Sequence, residues 1–138
     1  MWKNISLNHV RINNSQFSSI IKSARNCNTL VFKFCEFSIY EDLDFNIDEE
    51  YKIEVIDFNS SGSNFYSNWK YNSESFKRII KAMKDSKLDE SLRFIRLYNC
   101  GSSIEEFRSI LTDNDMDHVQ VNEDETEISE NGSILTES

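Results

Sequence analysis

Asp42, Asp44, Asn46 and Asp48 are the side chains best spaced for chemistry, standing two apart like the first ligands of an EF-hand calcium loop. That loop also needs glycine at its sixth position and a carboxylate at its twelfth, where this chain carries Ile47 and Ile53. Asp113, Asp115 and Asp117 fail in the same way, with His118 where glycine is required. No metal site is expected. Cys27, Cys35 and Cys100 are odd in number and form no C-x-x-C pair, which argues against zinc and against a disulfide framework. Reduced thiols packed as small hydrophobes are expected instead. His9 and His118 lie 109 residues apart, in the same position of a repeated pattern, and would not share a site on an open sheet. The chain has no G-x-S-x-G, no glycine-rich phosphate loop, no H-E-x-x-H, and three glycines in all. Neither an enzyme nor a cofactor is expected. Glu49-Glu50 and Glu105-Glu106 read as a solvated loop and the first turn of a helix.

What remains is a set of charged and aromatic side chains, and their use depends on the elements that hold them. Leu92 to Cys100 shows the pattern most fully: Leu92, Ile95, Leu97 and Cys100 have the spacing L-x-x-L-x-L-x-x-C. The same spacing recurs around Val10 (Leu7, Val10, Ile12), Phe32 (Thr29, Phe32, Phe34), Ile56 (Ile53, Ile56, Phe58) and Val119 (Met116, Val119, Val121). Fourteen of these fifteen positions are apolar in a chain that is 38% hydrophobic, so the recurrence exceeds composition. The anchors are spaced 22, 24, 39 and 24 residues apart, and each sits in a short run of period-two alternation, the signal of a strand.

Between the strands the period becomes helical. Phe17, Ile20, Ile21 and Ala24 form one apolar stripe, and Phe76, Ile79, Ile80 and Met83 repeat its offsets. Ser103 and Glu106 make a capping box for a third helix carrying Ile104, Phe107 and Leu111 and stopping near Asp113-Asn114. In the second unit, residues 37–50, Leu43, Phe45 and Ile47 suit either a short helix or an extended back-side segment. The spacing of 39 contains an insertion at about 60–72 that holds Phe65, Tyr66, Trp69 and Tyr71.

At 138 residues the chain is about one domain. There is no run of eighteen apolar residues and no apolar block with a cleavage site in residues 1–14, so a soluble cytoplasmic protein with no membrane contact is expected. The net charge of -9 is uneven: residues 1–121 carry 15 basic against 18 acidic side chains, and the rest is purely acidic. An acidic total argues against nucleic acid, which needs a concentrated basic surface. The expected organisation is a repeat domain over 1–121 and an acidic tail without fixed structure over 122–138.

Strand, helix, strand at a period in the low twenties with L-x-x-L-x-L-x-x-C at each strand resembles the leucine-rich repeat family in its longer, helix-containing, ribonuclease-inhibitor-like form. The other units carry Ser15, Phe37, Ser61 and Asp124 where the family has Asn or Cys. The resemblance implies an α/β fold, a short solenoid with a parallel sheet on one side and helices on the other. A compact α/β regulatory domain or degenerate enzyme, with helices on both sheet faces, is the alternative, but its strands would read as continuous apolar runs.

The resemblance further implies a protein-recognition or scaffold role for the open sheet face. Arg11, Lys33, Asp57, Arg96 and Gln120 follow the anchors, and three cations there suit a partner with an acidic surface. Phe94 and Tyr98, with Val31 and Val55, would supply its apolar centre. Phe65, Tyr66, Trp69 and Tyr71 form a possible contact loop.

Overall fold

In the computed structural model the chain is described over residues 4–59, 73–97, 104–122, 127–128 and 134–135. The first apolar triplet does not form one strand. Its backbone turns at His9, which has φ 55°, so Leu7 belongs to β1 (Asn4–Asn8) and Ile12 to β2 (Arg11–Asn13). Val10 is left at the corner, 37% exposed. The second unit bends identically at Phe34, also at φ 55°, between β3 (Thr29–Lys33) and β4 (Glu36–Ser38). Left-handed backbone is unusual for histidine and phenylalanine. Ladder bonds hold both corners: His9 N–H donates to the Lys33 carbonyl at 3.0 Å, Phe34 N–H to Asn59 at 2.9 Å and Glu36 N–H to Val10 at 3.0 Å.

Three further strands, β5 (Val55–Asn59), β6 (Phe94–Arg96) and β7 (Gln120–Asn122), complete a parallel sheet in the order β1-β3-β5-β6-β7. β2 and β4 form a separate parallel pair. The register places Ile5, Leu30, Ile56, Ile95 and Val121 in one row, at spacings of 25, 26, 39 and 26 residues. Ile56 and Ile95 are thus correct anchors. Phe32 and Val119 are each displaced by two residues, a slip that leaves every side chain on its own face and so escapes a period-two pattern.

Helices fill three of the four crossovers that the parallel strands of the sheet require, and the one from β3 to β5 is made without a helix. α1 (Asn14–Ser23) starts on a capping box that the sequence reading missed: Asn13 Oδ1 accepts from Gln16 N–H, and Gln16 Oε1 accepts from Asn13 N–H, both at 2.9 Å. Asn14 then ties the return segment to this end, accepting from Tyr40 N–H at 2.9 Å and donating to the Glu41 carbonyl at 2.6 Å. α2 (Ser73–Asp85) buries Phe76, Ile79, Ile80 and Met83, the predicted stripe. It leads through Lys87, at φ 64°, into a single 3-10 turn at Leu88–Glu90. α3 (Ile104–Asp113) ends where expected, with Met116 N–H returning to the Leu111 carbonyl at 2.8 Å. Ser103 of its expected capping box lies outside the described residues.

The buried residues of all three helices share one core with Leu30, Phe32, Ile56, Phe58, Ile95 and Leu97 from one face of the sheet. Phenylalanines connect its parts: Phe17 stacks on Phe32 at 5.5 Å, Phe32 on Phe58 at 5.6 Å, and Phe76 meets Phe58 edge-on at 5.1 Å. Of the second unit, residues 37–50, the first two end β4 and the rest, with the chain on to residue 54, form neither helix nor strand, so the short helix is not formed and the segment runs without regular structure. It still buries Ile39, Phe45 and Ile53, and the Tyr51 hydroxyl donates to the Phe45 carbonyl. Farther along, β8 (Glu127–Ile128) and β9 (Ile134–Leu135) form a short antiparallel ladder.

Candidate functional site

Period-two alternation sends Asn4, Ser6 and Asn8, then Thr29, Val31 and Lys33, then Val55, Asp57 and Asn59 to the sheet face away from the helices, followed by Phe94 and Arg96 and by Gln120 and Asn122. The sequence reading expected this face to be open throughout. It is open at its margins, at Asn4, Ser6, Asn8, Lys33 and Gln120. At its centre Val55, Asp57, Phe94 and Arg96 are all shut off from solvent, the last three at 6–7% exposure. The pattern reads which face a residue occupies but carries no information about what covers that face.

Asp57 and Arg96 face each other in adjacent strands, with Arg96 donating to Asp57 Oδ2 at 3.2 Å. Burial drives the Asp57 carboxyl up to about 6, and the charges of Arg96 and Lys33 and the Arg96 hydrogen bond restrain that rise. Among the described residues Oδ1 is buried without a hydrogen-bond partner. Two residues expected to contact a partner thus pair with each other in the interior, and Phe94 is covered beside them. Such a pair fixes the register of β5 against β6, because a slip would strand either charge.

The exposed chemistry lies at the two corners. A 25-residue offset brings His9 onto Phe34, with ring centroids 5.0 Å apart and planes within 11°. Lys33 is exposed, with Nζ 5.9 Å from the Phe34 ring centroid, within cation–π range. Val10 completes an apolar spot, and Arg11 is exposed beside it, its guanidinium 3.3 Å from Glu36. Lys33 stands at the margin of the sheet face, whereas Arg11, expected on that same face, lies in the separate β2–β4 pair because the chain bends at His9. His9, Val10 and Phe34 were missed as a group, since Val10 and Phe34 scored as core positions and a left-handed corner without glycine leaves no sequence signal. His118 is structural, with Nε2 2.9 Å from the Asp89 carbonyl. Tyr98 and the contact-loop residues Phe65, Tyr66, Trp69 and Tyr71 lie outside the described residues.

The described surface also carries depressions. One of about 440 Å³ is lined by Arg108, Leu111, Thr112, Asp117, Val119 and Val121, among others, between α3 and β7. Another, about 500 Å³, lies between residues 46–51 and the end of α2 and is rimmed by Glu49, Glu50, Asp85 and Glu90. Among the described residues no three metal-ligating side chains converge, and no helix is long and apolar enough to cross a membrane. No protein-family model, curated protein or solved structure matches the chain.

Proposed function

We propose that the chain is a protein-recognition module of leucine-rich-repeat-like build, engaging the acidic surface of a protein partner through its two corners. The observation that carries this is the spot formed by the exposed His9 and Val10 with the half-buried Phe34, flanked by the cations Lys33 and Arg11. Apolar area ringed by charge is the composition of a contact site. Lys33 and Arg11 bring two cations to this corner in a chain of net charge -9, which favours an acidic partner surface there. The in-register stacking of sheet and helices, each strand beside its sequence neighbour, supports the repeat reading. Asp57, Phe94 and Arg96 are assigned to the scaffold in this reading.

Lys33→Glu combined with Phe34→Ala should abolish retention of the native partner in affinity capture with the intact chain, while the thermal unfolding midpoint stays close to that of the unaltered protein. Unchanged retention rejects the proposal. A second reading, a compact α/β domain covered on both sheet faces, draws on the burial of Val55, Asp57, Phe94 and Arg96. Small-angle scattering separates a curved slab from a compact globe of the same mass.

A further inference from the structure

The depression between α3 and β7 brings two opposite charges to one hollow without letting them meet. Arg108 and Asp117 both line this space of about 440 Å³, and both are exposed. Among the described residues neither forms an ion pair, with the other or with any further side chain. Elsewhere on the same surface, exposed opposite charges within reach do pair, as Lys77 does with Glu74 at 3.5 Å and Lys81 with Asp85 at 3.6 Å. The guanidinium and the carboxylate here are held apart.

Anchored backbone keeps them so. Arg108 follows the buried Phe107 on α3, and the exposed Thr112, one turn further along the same helical face, lines the hollow with it. Asp117 lies in the loop after α3, which is pinned on either side of it. Met116, fully buried, donates its N–H to the Leu111 carbonyl at 2.8 Å, and His118 Nε2 stands 2.9 Å from the Asp89 carbonyl. Leu111, Val119 and Val121 supply the apolar lining, the first two anchored in the core and the third half-buried against it. A ligand therefore meets groups that are already in place, which lowers the entropy cost of binding it.

The chemistry of the lining selects the ligand. A lone carboxylate would pair with Arg108 but face the like charge of Asp117, and a lone ammonium would pair with Asp117 but face Arg108. A zwitterion satisfies both at once. Small-molecule sites span about 300–1,000 Å³ and combine apolar walls with a few polar groups that fix orientation. This hollow stands at the small end of that range, the size of a single amino acid, and its leucine and valines suit an aliphatic side chain.

We infer that the hollow is a binding site for a free α-amino acid with an aliphatic side chain. Its carboxylate pairs with Arg108 and accepts from the Thr112 hydroxyl, its ammonium pairs with Asp117, and its side chain lies against Leu111, Val119 and Val121. Charges this exposed each contribute little, so the dissociation constant is about 1 mM. The site uses elements remote in sequence from the two corners and does not rest on the partner-binding reading.

Amide spectra of the isotope-labelled intact chain, recorded by nuclear magnetic resonance while L-leucine is added to about 20 mM, test it. The expected result is saturable shifts centred on Thr112, Asp117 and Val121, half complete at about 1 mM. Isocaproate and isoamylamine keep the side chain with one charge each, and each should bind about fivefold more weakly than leucine. Arg108→Gln and Asp117→Asn, both at exposed positions, should each weaken leucine about fivefold. Arg108→Gln should also erase the advantage of leucine over isoamylamine. No saturable shift, shifts centred away from the hollow, a single-charge analogue that binds as tightly as leucine, or variants that bind leucine unchanged overturn the inference. If either variant fails to fold, the comparison of the three ligands on the unaltered chain decides.

Discussion

Replacing Arg96 with leucine should destabilise the protein by an amount that depends on pH in a calculable way. The Asp57 carboxyl has an ordinary value of 3.8 and is pushed up to about 6, first by burial. At about 1.36 kcal/mol per unit, holding Asp57 charged in the folded state costs about 3 kcal/mol relative to the unfolded chain. Between those two values the folded state binds more protons than the unfolded one. Its stability contribution is therefore greatest below 3.8, falls as pH rises through about 6, and is flat above. Without Arg96 the carboxyl rises further and stays protonated at about pH 7.5, where keeping that proton costs about 5 kcal/mol. The difference, about 2 kcal/mol, is the pH-dependent part of the loss, and it vanishes near pH 5.5 where both proteins hold Asp57 neutral. A further loss of about 1 kcal/mol, from packing of the arginine stem, should appear at every pH. Urea unfolding of both proteins at about pH 5.5, 6.5 and 7.5 measures the three differences. A loss independent of pH would refute the reasoning, because Arg96 would then act through packing alone. Asp57→Val with Arg96→Leu should recover most of the stability, as apolar replacement of a buried pair is often neutral or better.

Cys27 and Cys35 are buried, and burial pushes the Cys35 thiol up, so in a Cys100→Ser protein neither should react with a thiol reagent until denaturant is added. Tyr51 is pushed up to about 12 by burial, so alkaline difference spectra should show a tyrosine step near that pH that Tyr51→Phe removes, and Tyr51→Phe should cost about 1 kcal/mol by leaving the Phe45 carbonyl unpaired. Asn13→Ala removes the cap of α1 and should lower stability by about 1 kcal/mol, whereas Asn13→Asp should leave it nearly unchanged.

Much of the architecture is legible in residue spacing. Phe17, Ile21, Phe76, Ile80 and Met83 identify the helices, because a buried stripe must repeat with the turn of the helix. Ile56 and Ile95 identify neighbouring strands in the correct register. Leu7, Val10 and Ile12 mislead, since their spacing suits one strand and yet the chain bends at His9, where backbone conformation leaves no trace in hydrophobicity. The site was legible only in part. Lys33 stands on the solvated margin of the sheet face, whereas Arg11 leaves that sheet with β2 after the bend at His9. Arg96 and Asp57 looked like surface charges because opposite charges in adjacent strands read alike whether the face above them is open or closed. Phe34 looked like core because a phenylalanine that covers a corner has the same letter as one that fills an interior.

The neighbour-by-neighbour order of the sheet also gives the fold a direction of growth. Each strand of the sheet meets the next after 25 or 26 residues, except across the 39-residue interval between β5 and β6. Loop-closure entropy makes that longer interval costlier by only about 0.4 kcal/mol, so the inserted segment hardly slows the advance. As the chain leaves the ribosome, β3 can dock on β1 before α2 exists, and each later strand finds its template already laid. Assembly in this order leaves one growing edge exposed at a time, and that edge is always the one facing the residues still to be made.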